Sequence, residues 1–317
     1  MEDIKYADSK INFRFIVFGD SRGYYEGVNK AVFAQILRTI KRFAIQPGFF
    51  LFSGDMANEH SSSYEANKKA LEEWKEIVEK YYPINRFYNC IGNHERNEEA
   101  FNDVFDYLPD GQLPGYGRTV YYIDYGNSRF IILNSNRENK NYYQYVPNEG
   151  SIKNEGYVIE EKQRNWLEDK LKSSDKKYNF VMFHVPAFPV SHHFGDCLDQ
   201  DPIERYLLWD ILDKYNVTAL FNGHEHIYSR RVINGAFNTT FKNDIIQITT
   251  GGAGANIYGY VTDTRNNLTG PLGIYHYVVV DVYDRILSFK VFDIDSNIID
   301  CFTVEKRRKI KPIVHDS

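Results

Sequence analysis

Cysteine is scarce: Cys90, Cys197 and Cys301 are the only three in 317 residues. They are widely spaced and odd in number, which argues against a disulfide framework or a cysteine-rich zinc cluster and leaves buried thiols as the expectation. Long apolar runs are missing too. None approaches the roughly 18 residues that a membrane-spanning helix requires, and Met1 to Lys10 is polar, without the apolar segment of a signal peptide. A soluble chain is expected, cytoplasmic as written and secreted if a leader has been removed. Three Asn-x-Thr sequons, at Asn216, Asn238 and Asn267, carry almost no weight in a chain so rich in Asn and Thr. Positive charge is not in excess: 38 Lys and Arg against 43 Asp and Glu give a formal net charge of -5. Nothing in this balance points to the broad basic field that a nucleic-acid-binding surface requires, and any anion affinity is expected to be local. No stretch rich in Pro, Gly or Ser divides the chain. One domain is expected over 1–317, with its core at about 11–305 and a basic tail at 306–317 that contains Lys306-Arg307-Arg308-Lys309.

What is present is ordinary globular composition, 43% hydrophobic, enough for a large core. Ile11–Phe18 reads as a buried strand that ends in Gly19-Asp20-Ser21-Arg22-Gly23. Val28, Val32, Ile36 and Ile40, four apart with Phe33 and Leu37 beside them, predict a helix over Val28–Ala44. Phe49–Phe52 is a second strand, ending in Ser53-Gly54-Asp55. Tyr64–Tyr81 is again helical, and Arg86–Cys90 is a third strand, ending in Ile91-Gly92-Asn93-His94-Glu95. This β-α-β-α-β order predicts a largely parallel sheet.

Glu95–Leu113 is expected to form a loop or short helix over the site. A hairpin follows at Tyr121–Leu133, turning at Gly126-Asn127. Asn134–Tyr157 shows no period and reads as one long loop. Helices are expected at Glu161–Leu171 and Ile203–Tyr215. The strand Asn179–Phe183 ends in His184, and Ala219–Phe221 ends in Asn222-Gly223-His224-Glu225-His226. From Asp244 onward come strands without helices, at Ile245–Thr249, Tyr275–Val282, Ile286–Phe292 and Ile298–Val304, expected to extend a sheet antiparallel. The whole predicts an α/β (α+β) fold of two packed mixed sheets flanked by helices.

Asp20, Asp55, Asn93, His94, His184, His224 and His226 all fall at strand carboxyl ends, where open α/β sheets bind ligands. Carboxylate, amide and imidazole together are the ligand set for zinc, iron, manganese or nickel. His192 and His193, in the loop after His184, are further candidates for substrate contact.

These blocks, Gly19-Asp20, Gly54-Asp55, Gly92-Asn93-His94-Glu95, His184 and Gly223-His224-Glu225-His226, resemble the calcineurin-like metallophosphoesterase superfamily. The segment from His184 through His192-His193, with Gly251-Gly252-Ala253-Gly254, is most similar to its purple acid phosphatase branch. The resemblance implies a four-layer αββα sandwich with two divalent or mixed-valence transition-metal ions, of Mn, Fe, Zn or Ni. It also implies that Asp55 bridges the ions, that Asp20 and His226 hold the first, and that Asn93, His184 and His224 hold the second. A pair of ions stabilises both attacking and leaving oxygens of an in-line displacement. His94 would stay free of metal and protonate the leaving alkoxide or stabilise the phosphoryl group.

Two positions depart from the family pattern. Arg22 stands where many members carry a His, and Asn58 where the iron-dependent purple enzymes carry a Tyr. Arg22 cannot ligate a metal but matches phosphate oxygens with its planar fork, so either phosphate binding or a structural ion pair is open to it. Asn58 either coordinates weakly or hydrogen-bonds Asp55. The expected activity is hydrolysis of a small phosphomonoester by direct attack of a metal-bound hydroxide. The alternatives are a phosphodiesterase or pyrophosphate-cleaving hydrolase of nucleotide-type substrates and, from another class, a metal-binding scaffold without catalysis.

Overall fold

In a computed structural model, the structure describes residues 10–138, 144–146, 151–153, 156–265 and 267–305. The expected basic tail lies outside the described residues. The chain runs β1 (Phe13–Phe18), α1 (Lys30–Ile40), β2 (Phe49–Phe52), α2 (Tyr64–Glu79), β3 (Phe87–Asn89) and α3 (Glu98–Val104). The hairpin β4 (Tyr121–Tyr125) and β5 (Ser128–Ile132) is followed by short strands β6 (Arg137–Glu138), β7 (Gln144–Val146), β8 (Ser151–Lys153) and β9 (Tyr157–Val158). Then come α4 (Glu161–Lys172), β10 (Tyr178–Met182), α5 (Pro202–Lys214), β11 (Ala219–Asn222), β12 (Tyr228–Ile233) and β13 (Ile245–Thr250). The chain closes with β14 (Asn267–Leu272), β15 (His276–Val282), β16 (Ile286–Asp293) and β17 (Ile298–Glu305).

Two mixed sheets result, one ordered β17-β16-β15-β1-β2-β3 and the other β14-β12-β13-β11-β10-β5-β4. Side chains alternate across a strand, so β1 and β2 each present two apolar faces. Inward, Phe15 stacks on Phe49 of its own sheet at 5.4 Å and meets Phe130 and Phe180 of the other sheet edge-on at 5.0 and 5.5 Å. Outward, Phe18 contacts Phe33 of α1, and Phe52 contacts Trp74 of α2. Buried side chains from both sheets and the flanking helices join in one contiguous apolar cluster.

The structure departs from the sequence reading in several places. Helix α1 starts at Lys30 because Asn29 caps it: the Asn29 side-chain oxygen accepts from Val32 N, and its amide donates to Gly254 O at 2.7 Å. The stretch expected as one period-less loop contains two short antiparallel pairs, β6 with β9 and β7 with β8. Strands β12 and β14 were not expected at all. Strand β13 does not extend a sheet antiparallel to its predecessor in the core: it runs parallel to β11, and β12 supplies its antiparallel neighbour. Cys301 is exposed, because β17 is an edge strand with one face to solvent, while Cys90 and Cys197 are buried as expected.

Candidate metal centre

Strands β1, β2 and β3 of one sheet and β10 and β11 of the other deliver the sequence candidates into one place at their carboxyl ends. The turns are tight. Asp20, Asp55 and His224 have φ of 61°, 54° and 67°, a left-handed conformation that costs a non-glycine residue about 1–3 kcal/mol. Such strain persists only where surrounding bonds over-determine it, and here they do. Asp20 Oδ1 accepts from His224 N at 2.9 Å, and Asp55 Oδ1 accepts from His94 N at 3.0 Å. Two glycines allow the close approach: a Cβ on Gly92 would lie 2.3 Å from Asp55 Oδ1, and one on Gly223 would lie 2.2 Å from Asp20 Oδ2.

Two buried carboxylates that the sequence reading left without a role bind these turns together. Glu95 accepts from Gly92 N at 2.6 Å, Asp55 N at 2.9 Å and Met56 N at 2.8 Å. Glu225 accepts from Val190 N at 2.9 Å and Ser191 N at 2.6 Å, tying the loop of His192 and His193 to the last motif. Each lies beside a candidate histidine in sequence, which was the available signal. Burial, and then the neighbouring Asp55, lifts the Glu95 carboxyl to about 7.

The imidazole tautomers follow from their partners. His184 Nδ1 faces Ser53 O at 2.7 Å and must donate, which leaves Nε2 facing Asn93 Oδ1 at 3.0 Å and Asp55 Oδ1 at 3.2 Å. His224 Nδ1 also lies 3.0 Å from Asn93 Oδ1. His226 Nδ1 donates to Asn256 O at 2.8 Å, and its Nε2 lies 3.6 Å from Asp20 Oδ1. Asp20 Oδ2 is buried with no hydrogen-bond partner.

Lone pairs of oxygen and nitrogen thus converge with few protons between them. Separations near 3 Å are those of adjacent ligands around one ion with bonds of roughly 2.1 Å. Ligand atoms of Asp20, Asp55 and His184 all lie within 4.8 Å of one another. Burial acts to lower the His184 pKa, yet the Asp55 and Asp20 carboxylates outweigh it and lift it to about 9. The site demands positive charge, and the donor set fits transition-metal ions.

The remaining candidates are placed unevenly. His94 adjoins the centre, with Nε2 3.9 Å from Asp55 Oδ2 and Nδ1 buried without a hydrogen-bond partner. Burial, aided by Arg22, pushes His94 down to about 4 against the pull of Asp55. The near-neutral pKa expected of an acid is therefore absent from the free imidazole. Arg22 Nε lies 3.6 Å from Asp55 Oδ2. Asn58 does not bond Asp55; its amide donates to Tyr24 O and Tyr25 O at 3.2 and 3.0 Å, and so holds the loop after Asp20. His193 packs its ring 4.1 Å from His224 and places Nδ1 3.3 Å from Asp196 Oδ2, whereas His192 bonds the Tyr260 hydroxyl and packs on Tyr258.

The family model for the calcineurin-like phosphoesterases matches residues 13–228, and the chain belongs to that family. Its likeness within the family is to the purple acid phosphatases. A relative from Arabidopsis thaliana, "Probable inactive purple acid phosphatase 24", is 23% identical over 77% of this chain and 41% of its own length. The purple acid phosphatase of yellow lupin (Lupinus luteus) seeds shares the fold, with a TM-score of 0.67 at 17% identity over 94% of this chain and 54% of that one. So does GAP50, the anchor in the inner membrane complex of Plasmodium, with a TM-score of 0.64 at 16% identity over 95% and 91% of the two chains. This chain thus spans about half or less of the length of the two purple acid phosphatase relatives.

Proposed function

We propose that the protein is a metal-dependent phosphoesterase that hydrolyses small phosphomonoesters, with water as the nucleophile and no phosphoenzyme. The observation that carries this reading is the convergence of six ligand-type side chains beside His94, an imidazole that the metals do not need. Asp20 and His226 would hold one ion, Asn93, His184 and His224 another, and Asp55 both. When bound, such ions supply Lewis acidity and a nucleophilic water at neutral pH.

The chain's own groups supply the rest. Arg22 reaches the carboxylate shared by the two sites and presents its fork to the non-bridging phosphoryl oxygens, a charge placed where negative charge develops. His94 is neutral before substrate arrives. The dianionic phosphate raises its affinity for a proton, which it then holds for the departing alkoxide. His193, oriented by Asp196, borders the same space and contacts substrate, whereas His192 supports the wall through Tyr258 and Tyr260.

A second reading, a metal-binding scaffold without catalysis, is favoured by the word "inactive" in the name of the Arabidopsis relative and by Arg22 in place of a ligand. Release of p-nitrophenol from its phosphate and from its bis-ester, with added manganese, zinc or iron, decides among the readings. Turnover of the phosphate above the bis-ester is expected. Preference for the bis-ester would favour the phosphodiesterase alternative, and no turnover of either would favour the scaffold.

A further inference from the structure

The two halves of the centre are unequally furnished. On one side His224 Nδ1, Asn93 Oδ1, His184 Nε2 and Asp55 Oδ1 form a chain of ligand-type atoms, with successive separations of 3.0, 3.0 and 3.2 Å. The other side has Asp20, His226 and the second oxygen of Asp55, with His226 Nε2 a looser 3.6 Å from Asp20 Oδ1. Asn58, at the position from which a phenolate would come, is anchored by its amide hydrogens to Tyr24 O and Tyr25 O and offers at most a neutral amide oxygen.

Arg22 adds a charge of the wrong sign for an incoming cation. Its Nε stands 3.6 Å from Asp55 Oδ2 and is buried with no hydrogen-bond partner. Its backbone is fixed from both sides, since Arg22 N donates to Asp55 O at 3.2 Å and Arg22 bridges Val28. Among the described residues, Asp55 is the only carboxylate within ion-pairing distance of Arg22. The guanidinium therefore neutralises the oxygen that this side would use, and repels a divalent ion placed beside it.

We propose that the two metal sites differ in affinity: the Asn93, His184, His224 and Asp55 site retains its ion, while the Asp20, Asp55 and His226 site releases its own because Arg22 stands beside it. The inference rests on the metal-dependent reading above. It makes the second ion a regulator, so that the doubly loaded state forms only at raised metal concentration. Losing a partner that supports a metal ligand shifts metal affinity by roughly 10–100-fold, and a gap of at least that size is expected here.

The test is elemental analysis of the whole chain after exhaustive dialysis, followed by calorimetric titration with Mn²⁺, with far-UV circular dichroism to verify folding of each variant. One retained ion per chain is expected, with a second, weaker uptake on titration. His184→Ala should lose the retained ion and His226→Ala should keep it, while Arg22→His should raise the retained content towards two. Two ions retained by the unaltered chain, or one that survives His184→Ala but not His226→Ala, would overturn the inference and leave the phosphoesterase reading standing. Unchanged content in folded Arg22→His would remove Arg22 as the cause. A chain that takes up no Mn²⁺ at all would sink both the inference and the reading on which it rests.

Discussion

Single residues set the electrostatics of the centre, and their roles are separable by substitution. His94 touches no proposed ligand site except through Asp55. His94→Ala should therefore lower kcat by about 10²–10⁴-fold while bound metal stays unchanged. The loss should be smaller for p-nitrophenyl phosphate than for an alkyl phosphate, whose leaving group needs the proton more. Loss of one equivalent of metal on elemental analysis would make His94 a ligand instead. Glu95 has a different task, because three buried backbone N–H groups depend on it. Glu95→Ala leaves all three unpaired, each at a cost of about 1–3 kcal/mol, and should lower the chemical-denaturation midpoint as well as turnover. A variant with normal stability would show that solvent replaces the carboxylate. The candidate metal-type residues were legible in the sequence because each lies at or just past the carboxyl end of a hydrophobic strand. The roles of Glu95 and Glu225 were not, since only their place beside candidate histidines marked them, and a carboxylate that satisfies backbone donors leaves no periodic pattern of its own.

At the scale of elements, the strands that carry the site were readable because they are nearly pure apolar runs. Strand β12 was hidden by two adjacent arginines. Arg230 pairs with Asp300, and the fully buried Arg231 reaches Asp263 and the carbonyls of Phe188 and Pro189. Charge that is paired inside the fold looks, in sequence, like charge that faces water. Strand β14 was hidden by Gly270 and Pro271, residues that usually mark turns. Arg231→Ala should destabilise the chain by about 3–5 kcal/mol, the range for removing one partner of a buried ion pair, measured by urea unfolding. Because the carbonyls it holds belong to the segment before His192 and His193, KM should rise as well. An unchanged KM would separate that loop from substrate binding.

Among the described residues one apolar cluster spans both sheets, so we propose that the chain folds as one unit and expect a single cooperative unfolding transition. Its pH dependence has an identifiable contributor away from the centre. His276 is fully buried between Ile274 O and Thr250 Oγ1, at 2.8 and 3.1 Å, and burial pushes it from 6.5 down to about 4. The unfolded chain therefore binds a proton below pH 6.5 that the folded chain refuses until about pH 4. Stability from this group is complete above pH 6.5 and is lost as pH falls through that window, by up to about 3 kcal/mol. Denaturation at pH 7 and pH 4.5 should show a smaller acid loss for His276→Gln than for the unaltered chain. Equal losses would mean that His276 is accessible to protons.

The candidate ligands lie at the strand ends and are not themselves members of the apolar cluster, so removing metal should abolish catalysis without unfolding the chain. The most direct measurement is p-nitrophenyl phosphate turnover by one preparation before chelation, after it, and after restoring manganese, zinc or iron, with far-UV circular dichroism at each stage. The expected result is loss of turnover on chelation, its return with metal, and an unchanged spectrum throughout; full turnover in verified metal-free protein would contradict a metal-dependent phosphoesterase.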